Sequence, residues 1–156
     1  MHTAPNPTTI ALIVIPIFLV AFVGLWLFVI TILSYVSGWA ALARQYQFSG
    51  TFEGQTWKWQ SGVMRGTNFN NCLTIGSSFR GLYLAVIAPL RFRSPSLLVP
   101  WSEITVSTRK RFLVEYVCLE LGRELKIPFS IRPRLAETLQ RAAGSSWPAA
   151  GRRLER

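Results

Sequence analysis

Hydrophobic and polar positions divide this chain into two unlike parts. From Thr8 to Gly38 the stretch TTIALIVIPIFLVAFVGLWLFVITILSYVSG carries no charged side chain. That is well beyond the ~20 residues a helix needs to cross a hydrocarbon core about 30 Å thick. The pattern predicts a transmembrane helix over residues 9–38, its span running over about 9–36, after a short N-terminal tail, 1–8. Pro16 and Gly24 fall inside it, where lipid-embedded helices tolerate both. A buried core helix would need far more protein around it than the rest of the chain supplies. A cleaved signal would show a positive leading region and an apolar run of only ~7 to 15 residues, so a permanent anchor is expected. Trp39 and Tyr46 follow where an interfacial aromatic belt would stand, and Arg44 is the first cation.

Beyond the span the periodicity changes. Residues 39–56 mix small and polar residues with scattered aromatics and read as a linker. Then short apolar runs alternate with turn signals every eight to twelve residues or so, the spacing of an all-β sandwich or barrel. WKWQSGVM, residues 57–64, is expected to set Trp57, Trp59 and Val63 on one face, with RGTN as the turn that follows. FNNCLTIG alternates Phe69, Leu73 and Ile75 against polar neighbours. GLYLAVIA, residues 81–88, is apolar on both parities, which predicts a strand covered on both faces. LLVPWSEI, residues 97–104, is too short to span a membrane and reads as a strand and a corner, with Pro100 at a strand end and Trp101 in the core. FLVEYVCLEL, residues 112–121, and LKIPF, residues 125–129, supply further strands. RPRLAETLQRAAG closes the domain as a helix with Pro133 in its first turn, an apolar stripe of Leu135, Leu139 and Ala142, and Gly144 as its C-terminal cap. The basic tail 145–156 is expected to be disordered.

The prediction is one N-terminal transmembrane helix plus an all-β barrel of about seven strands closed by a C-terminal helix, the barrel domain covering 57–144. That count resembles the pleckstrin-homology (PH) superfold. LYLAVI, the following loop, LLVPWSEI and the VST to RKR strand and turn are similar to the bacterial PH and GRAM-type pattern of membrane proteins with an N-terminal anchor. The resemblance implies a noncatalytic binding or scaffolding module. Phosphoinositide-binding members carry a Lys-x-Arg-x-Arg style cluster around the first hairpin, where this chain has only Lys58 and Arg65, so inositol-phosphate specificity is not implied.

The residue inventory narrows the chemistry. There is no Asp, and the only His is His2 in the leading tail, which removes Ser-His-Asp and Cys-His constellations from the domain. Two cysteines, Cys72 and Cys118, without histidine partners do not make an ordinary zinc site, and they read as free buried thiols. Glu115 and Glu120 differ in strand parity and so face opposite sides. No phosphate-binding glycine loop is present. No enzyme activity, cofactor or metal is therefore expected.

Charge points to a surface instead. Seventeen basic and seven acidic residues give a net charge of +10, and all of these charges lie from Arg44 onward. A basic domain tethered to a bilayer meets anionic lipid headgroups continuously, each nearby cation contributing about 1 kcal/mol, so lipid is expected rather than nucleic acid. The candidate contacts for headgroups or a partner are Arg91 and Arg93 in one loop and Arg109, Lys110 and Arg111 at a hairpin tip. Arg44 and Lys58 after the span, against a leading tail that offers only its terminal amine, predict an inner (plasma) membrane protein with the N-terminus outside and the domain in the cytoplasm. The competing expectation is an accessory subunit of a membrane complex, its helix pairing with another membrane protein through the small residues Ser34, Gly38 and Ala41. A fragment beginning near Phe48 is expected to fold as a soluble, monomeric β domain.

Overall fold

The computed structural model of the chain describes residues 6–88, 91, 94–111 and 114–149, the side chains of Arg111 and Val114 aside. Its first element is α1, Pro7–Val36, a helix of 30 residues that carries Pro16 without a break. It is long and apolar enough to cross a membrane. The chain turns at Ser37 and Gly38, and Gly38 takes φ +80°. A second helix follows, α2, Trp39–Tyr46.

Seven antiparallel strands come next: β1 Gln55–Met64, β2 Thr67–Ser77, β3 Gly81–Val86, β4 Leu97–Pro100, β5 Ile104–Arg111, β6 Val114–Leu121 and β7 Ile127–Ile131. They form one sheet in the order β4-β3-β2-β1-β7-β6-β5. Helix α3, Pro133–Ala143, ends the fold. The sheet curls into a half-barrel whose edges, β4 and β5, do not pair, so the barrel expected from the sequence is not closed by strands. β4 is only four residues long and stops at Pro100, which has no amide proton to extend a ladder. A 3-10 turn at Trp101–Glu103 then redirects the chain into β5.

The apolar side chains of the alternating strands meet inside the curl. Leu73, Ile75, Leu82, Leu84, Leu119, Leu121 and Phe129 are all fully buried there. Trp101 is buried as expected, and its indole Nε1–H donates to the Ser78 carbonyl at 2.7 Å. β3 is covered on both faces. Its outer side carries Tyr83, against which Phe52 stacks with ring centroids 4.6 Å apart and Phe48 packs edge-on at 6.0 Å. On α3 the buried residues are Ala136, Leu139 and Ala143, one position round from the stripe read in the sequence except at Leu139. The Ser77 hydroxyl donates to the Leu139 carbonyl at 3.0 Å and ties this helix to β2.

Three features depart from the sequence reading. The segment read as a linker folds: α2 places Trp39, Leu42, Ala43 and Tyr46 on one face, and Trp39 and Leu42 are fully buried in the core. Their i, i+3, i+4, i+7 spacing is that of an amphipathic helix, hidden by the polar residues between them. In β1, Trp59 does not join Trp57. The pairings Trp57↔Ile75 and Gln60↔Leu73 leave an extra residue in β1, a bulge that turns Trp59 outward at φ +60° and 65% exposure. The start of the tail packs on the domain. Gly144–Ser146 forms a 3-10 turn and the Trp147 ring lies 5.1 Å from that of Trp101. The rest of the tail expected to be disordered, 150–156, lies outside the described residues.

Candidate functional site

The site grows from the junction of the long helix with the sheet domain. Over the last turns of α1, Ile30 and Ser34 are buried and Trp26 half-buried, and Ser37 just beyond is fully buried. The spacing 26, 30, 34, 37 follows one face of a helix. On the opposite face Phe28, Val29, Ile32, Tyr35 and Val36 remain exposed, all of them apolar or aromatic. The chain that follows, α2 in particular, therefore covers one side of the helix end.

The joint itself is tightly fitted. A Cβ at Gly38 would stand 2.8 Å from Ile127 Cδ1, so a side chain here would have to displace that methyl on top of adopting a left-handed backbone. One residue on, Trp39 donates from Nε1 to the Pro95 carbonyl at 2.9 Å, and its ring lies 5.9 Å from that of Phe69. At the other end of α2 the Tyr46 hydroxyl donates to Glu103 Oε2, binding α2 to the turn between β4 and β5. Burial, reinforced by the hydrogen bond and negative charge of Glu103, pushes the Tyr46 phenol up to about 12. The small residues that suggested pairing with a foreign helix are used within the chain: Ser34 and Gly38 are buried, and Ala41 packs half-buried against the core.

Besides Arg44, exposed on α2 itself, three exposed cations stand in turns near this joint. Arg65 and Gly66, both at positive φ, make a two-residue turn between β1 and β2, and the Arg65 amide donates to the Pro128 carbonyl at 2.9 Å. Lys126, at φ +43°, immediately precedes the Ile127 that meets Gly38. Arg91 lies in the loop between β3 and β4, where its Nη2 donates to Ser96 Oγ at 2.9 Å, close to the Pro95 that receives Trp39.

The other predicted contacts stand elsewhere. β5 and β6 pair from Ile104↔Leu121 to Arg111↔Val114. Seven residues at ~3.3 Å each carry the tip of this hairpin about 23 Å along the strand from the end beside α2. Arg109 and Lys110 are exposed there, and Lys110 Nζ pairs with Glu115 at 3.1 Å. Arg91 and the Arg109–Arg111 tip thus do not form one cluster. Arg93 and the side chain of Arg111 lie outside the described residues. Arg65 and Lys126 took no part in the sequence-based assignment of contacts. The RG turn and the GRELK turn carried the signal, but only the fold brings those turns to the α1–α2 joint.

Chemistry elsewhere is sparse. An open groove of about 530 Å³ between the β5–β6 hairpin and α3 is lined by Val106, Val117, Ala136 and Trp147, with Glu115 and Glu137 at its margin. Cys118 is buried and Cys72 half-buried, and burial pushes the Cys72 thiol up, away from the reactive thiolate. Among the described residues no three of His, Cys, Asp or Glu gather as a metal site. Comparison of the chain with protein-family models, with curated proteins and with solved structures finds no match.

Proposed function

We propose that this is a noncatalytic, single-pass membrane protein that presents a PH-like binding or scaffolding domain at the cytoplasmic face of the inner (plasma) membrane. The order β4-β3-β2-β1-β7-β6-β5 followed by a C-terminal helix is what supports the PH-like reading. The observation that carries the functional reading is the junction: an uncharged 30-residue helix passes directly into a domain whose nearest turns expose Arg65, Arg91 and Lys126. Cations held there meet lipid phosphates at short range, and the anchor removes most of the entropic cost of finding them. Attraction of this kind follows charge and ionic strength, not headgroup shape.

The test uses a fragment of residues 37–149 and sedimentation with vesicles. Binding to anionic vesicles is expected to exceed binding to neutral ones and to fall with salt. Substituting Arg65→Asn and Lys126→Asn together keeps residues that tolerate the left-handed backbone. At about 1 kcal/mol per cation this pair should weaken binding by up to about thirtyfold. Arg109→Ser with Lys110→Ser, at the far tip, should leave it nearly unchanged. Equal binding to neutral and anionic vesicles would reject the lipid role and leave a protein partner as the reading to pursue.

A further inference from the structure

The length of α1 and the pattern of its covered and uncovered faces determine how deep the domain sits. Thirty residues at ~1.5 Å each make a helix about 45 Å long. A hydrocarbon core of about 30 Å takes only ~20 of them, whereas the bilayer with both headgroup layers is about 40–45 Å thick. At an ordinary tilt of ~20° the helix still reaches about 42 Å, the whole of that thickness. Its final turns are the ones covered by the folded chain, with α2 against them: Trp26 is half-buried and Ile30, Ser34 and Ser37 are buried.

Resting on the single-span reading above, we infer that the last turn of α1 lies in the headgroup layer and the two turns before it at its boundary with the hydrocarbon, together with the part of the fold packed on them, with lipid against Phe28, Ile32, Tyr35 and Val36. The domain is then seated in the membrane surface, not suspended from a stalk. Three observations lead to lipid as the occupant of that exposed face. It continues the apolar surface of the span without a polar interruption as far as Val36. Its residues are large, while the small residues that would let a second helix approach closely, Ser34, Ser37 and Gly38, lie buried on the domain side. The joint at Gly38 and Trp39 is too closely packed to let the domain swing away from the helix, since Trp39 is fully buried and Gly38 abuts Ile127. The seat also brings Arg65 and Lys126, beside that joint, to the level of the phosphates.

The experiment is nitroxide depth measurement on the full chain in anionic liposomes. Single cysteines at Phe18, Ile32, Val36 and Gln55, introduced with Cys72→Ser and Cys118→Ala, carry the label. All four positions are exposed, and only Phe18 has a ring contact, with Phe22 on the same helix. Collision with oxygen should dominate over collision with a water-soluble nickel chelate at Phe18 and, less strongly, at Ile32; the two should be comparable at Val36, and nickel should dominate at Gln55. Oxygen dominance at Phe18 with nickel dominance at Ile32, and nickel access at Val36 as high as at Gln55, would overturn the inference and leave the span intact. Nickel dominance at Phe18 as well would overturn the span and the inference with it. Protection of Ile32 and Val36 from both reagents would mean that protein, another chain or a second copy, covers that face, and this too would overturn the inference. Retained circular dichroism of each labelled chain ensures that a misfolded variant is not counted.

Discussion

Removing α2 tests whether the domain begins at the end of the long helix or at Phe48. A fragment of residues 48–149 lacks Trp39 and Leu42, both fully buried in the core. Truncating a buried Trp to Ala costs about 3–5 kcal/mol and a buried Leu about 2–5 kcal/mol. The two are neighbours on one helix, so their effects do not simply add, but a combined loss of about 5–8 kcal/mol is a large part of the 5–15 kcal/mol that stabilises a typical domain. The 48–149 fragment should therefore be unfolded or aggregated where 37–149 is folded, contrary to what the sequence alone suggests. Within the longer fragment, Trp39→Ala should lose about 3–5 kcal/mol. Trp39→Phe keeps most of the volume but strands the Pro95 carbonyl that Nε1–H now satisfies at 2.9 Å, a loss of about 1–3 kcal/mol. Urea unfolding followed by circular dichroism measures all three. With a slope of ~1–3 kcal/mol per molar urea, Trp39→Ala should lower the midpoint by at least about 1 M. A 48–149 fragment that unfolds at the same midpoint as 37–149 would refute the reasoning and return residues 39–47 to the status of a tether.

Other substitutions follow from single contacts. Trp101→Phe removes the 2.7 Å bond to the Ser78 carbonyl and should cost about 1–3 kcal/mol, whereas Trp147→Ala, which strips the ring lying over Trp101, should cost about 1 kcal/mol beyond its lost area, both read from urea midpoints. In an alkaline absorbance titration Tyr46 should ionise near 12, and Tyr46→Phe should delete that step. Because the folded-state value lies above the unfolded value near 10, Tyr46 retains its full contribution to stability below about pH 10 and loses it as pH rises towards 12. Glu115→Gln at the exposed pair with Lys110 should change stability by less than about 1 kcal/mol, as surface ion pairs usually do.

Much of this architecture was legible because it rests on periodicity. The uncharged run became α1, the alternating segments became seven strands, and the corner at Pro100 and Trp101 is a corner. What stayed hidden depends on long-range packing. Helix α2 has the right spacing of apolar residues, yet eight residues with an exposed Arg44 and Gln45 resemble a linker until the sheet provides the groove that Trp39 and Leu42 fill. The outward turn of Trp59 comes from a bulge, one extra residue that no alternation pattern announces. The separation of Arg91 from the Arg109–Arg111 tip, and the approach of Arg65 and Lys126 to the joint, follow from strand order and register. The turn that holds each cation is readable from the residues, whereas the end of the fold at which it stands is not.

The central claim is that a retained helix holds the β domain on the cytoplasmic side of the membrane, and one measurement addresses it directly. A reporter enzyme active only in the cytoplasm, fused after Arg156 on the full chain, should be active and should remain with the membrane through alkaline carbonate extraction, leaving it only in detergent. A fusion silent in the cytoplasm but functional with an externally active reporter, or one recovered in the soluble fraction with residues 1–36 removed, would contradict the account.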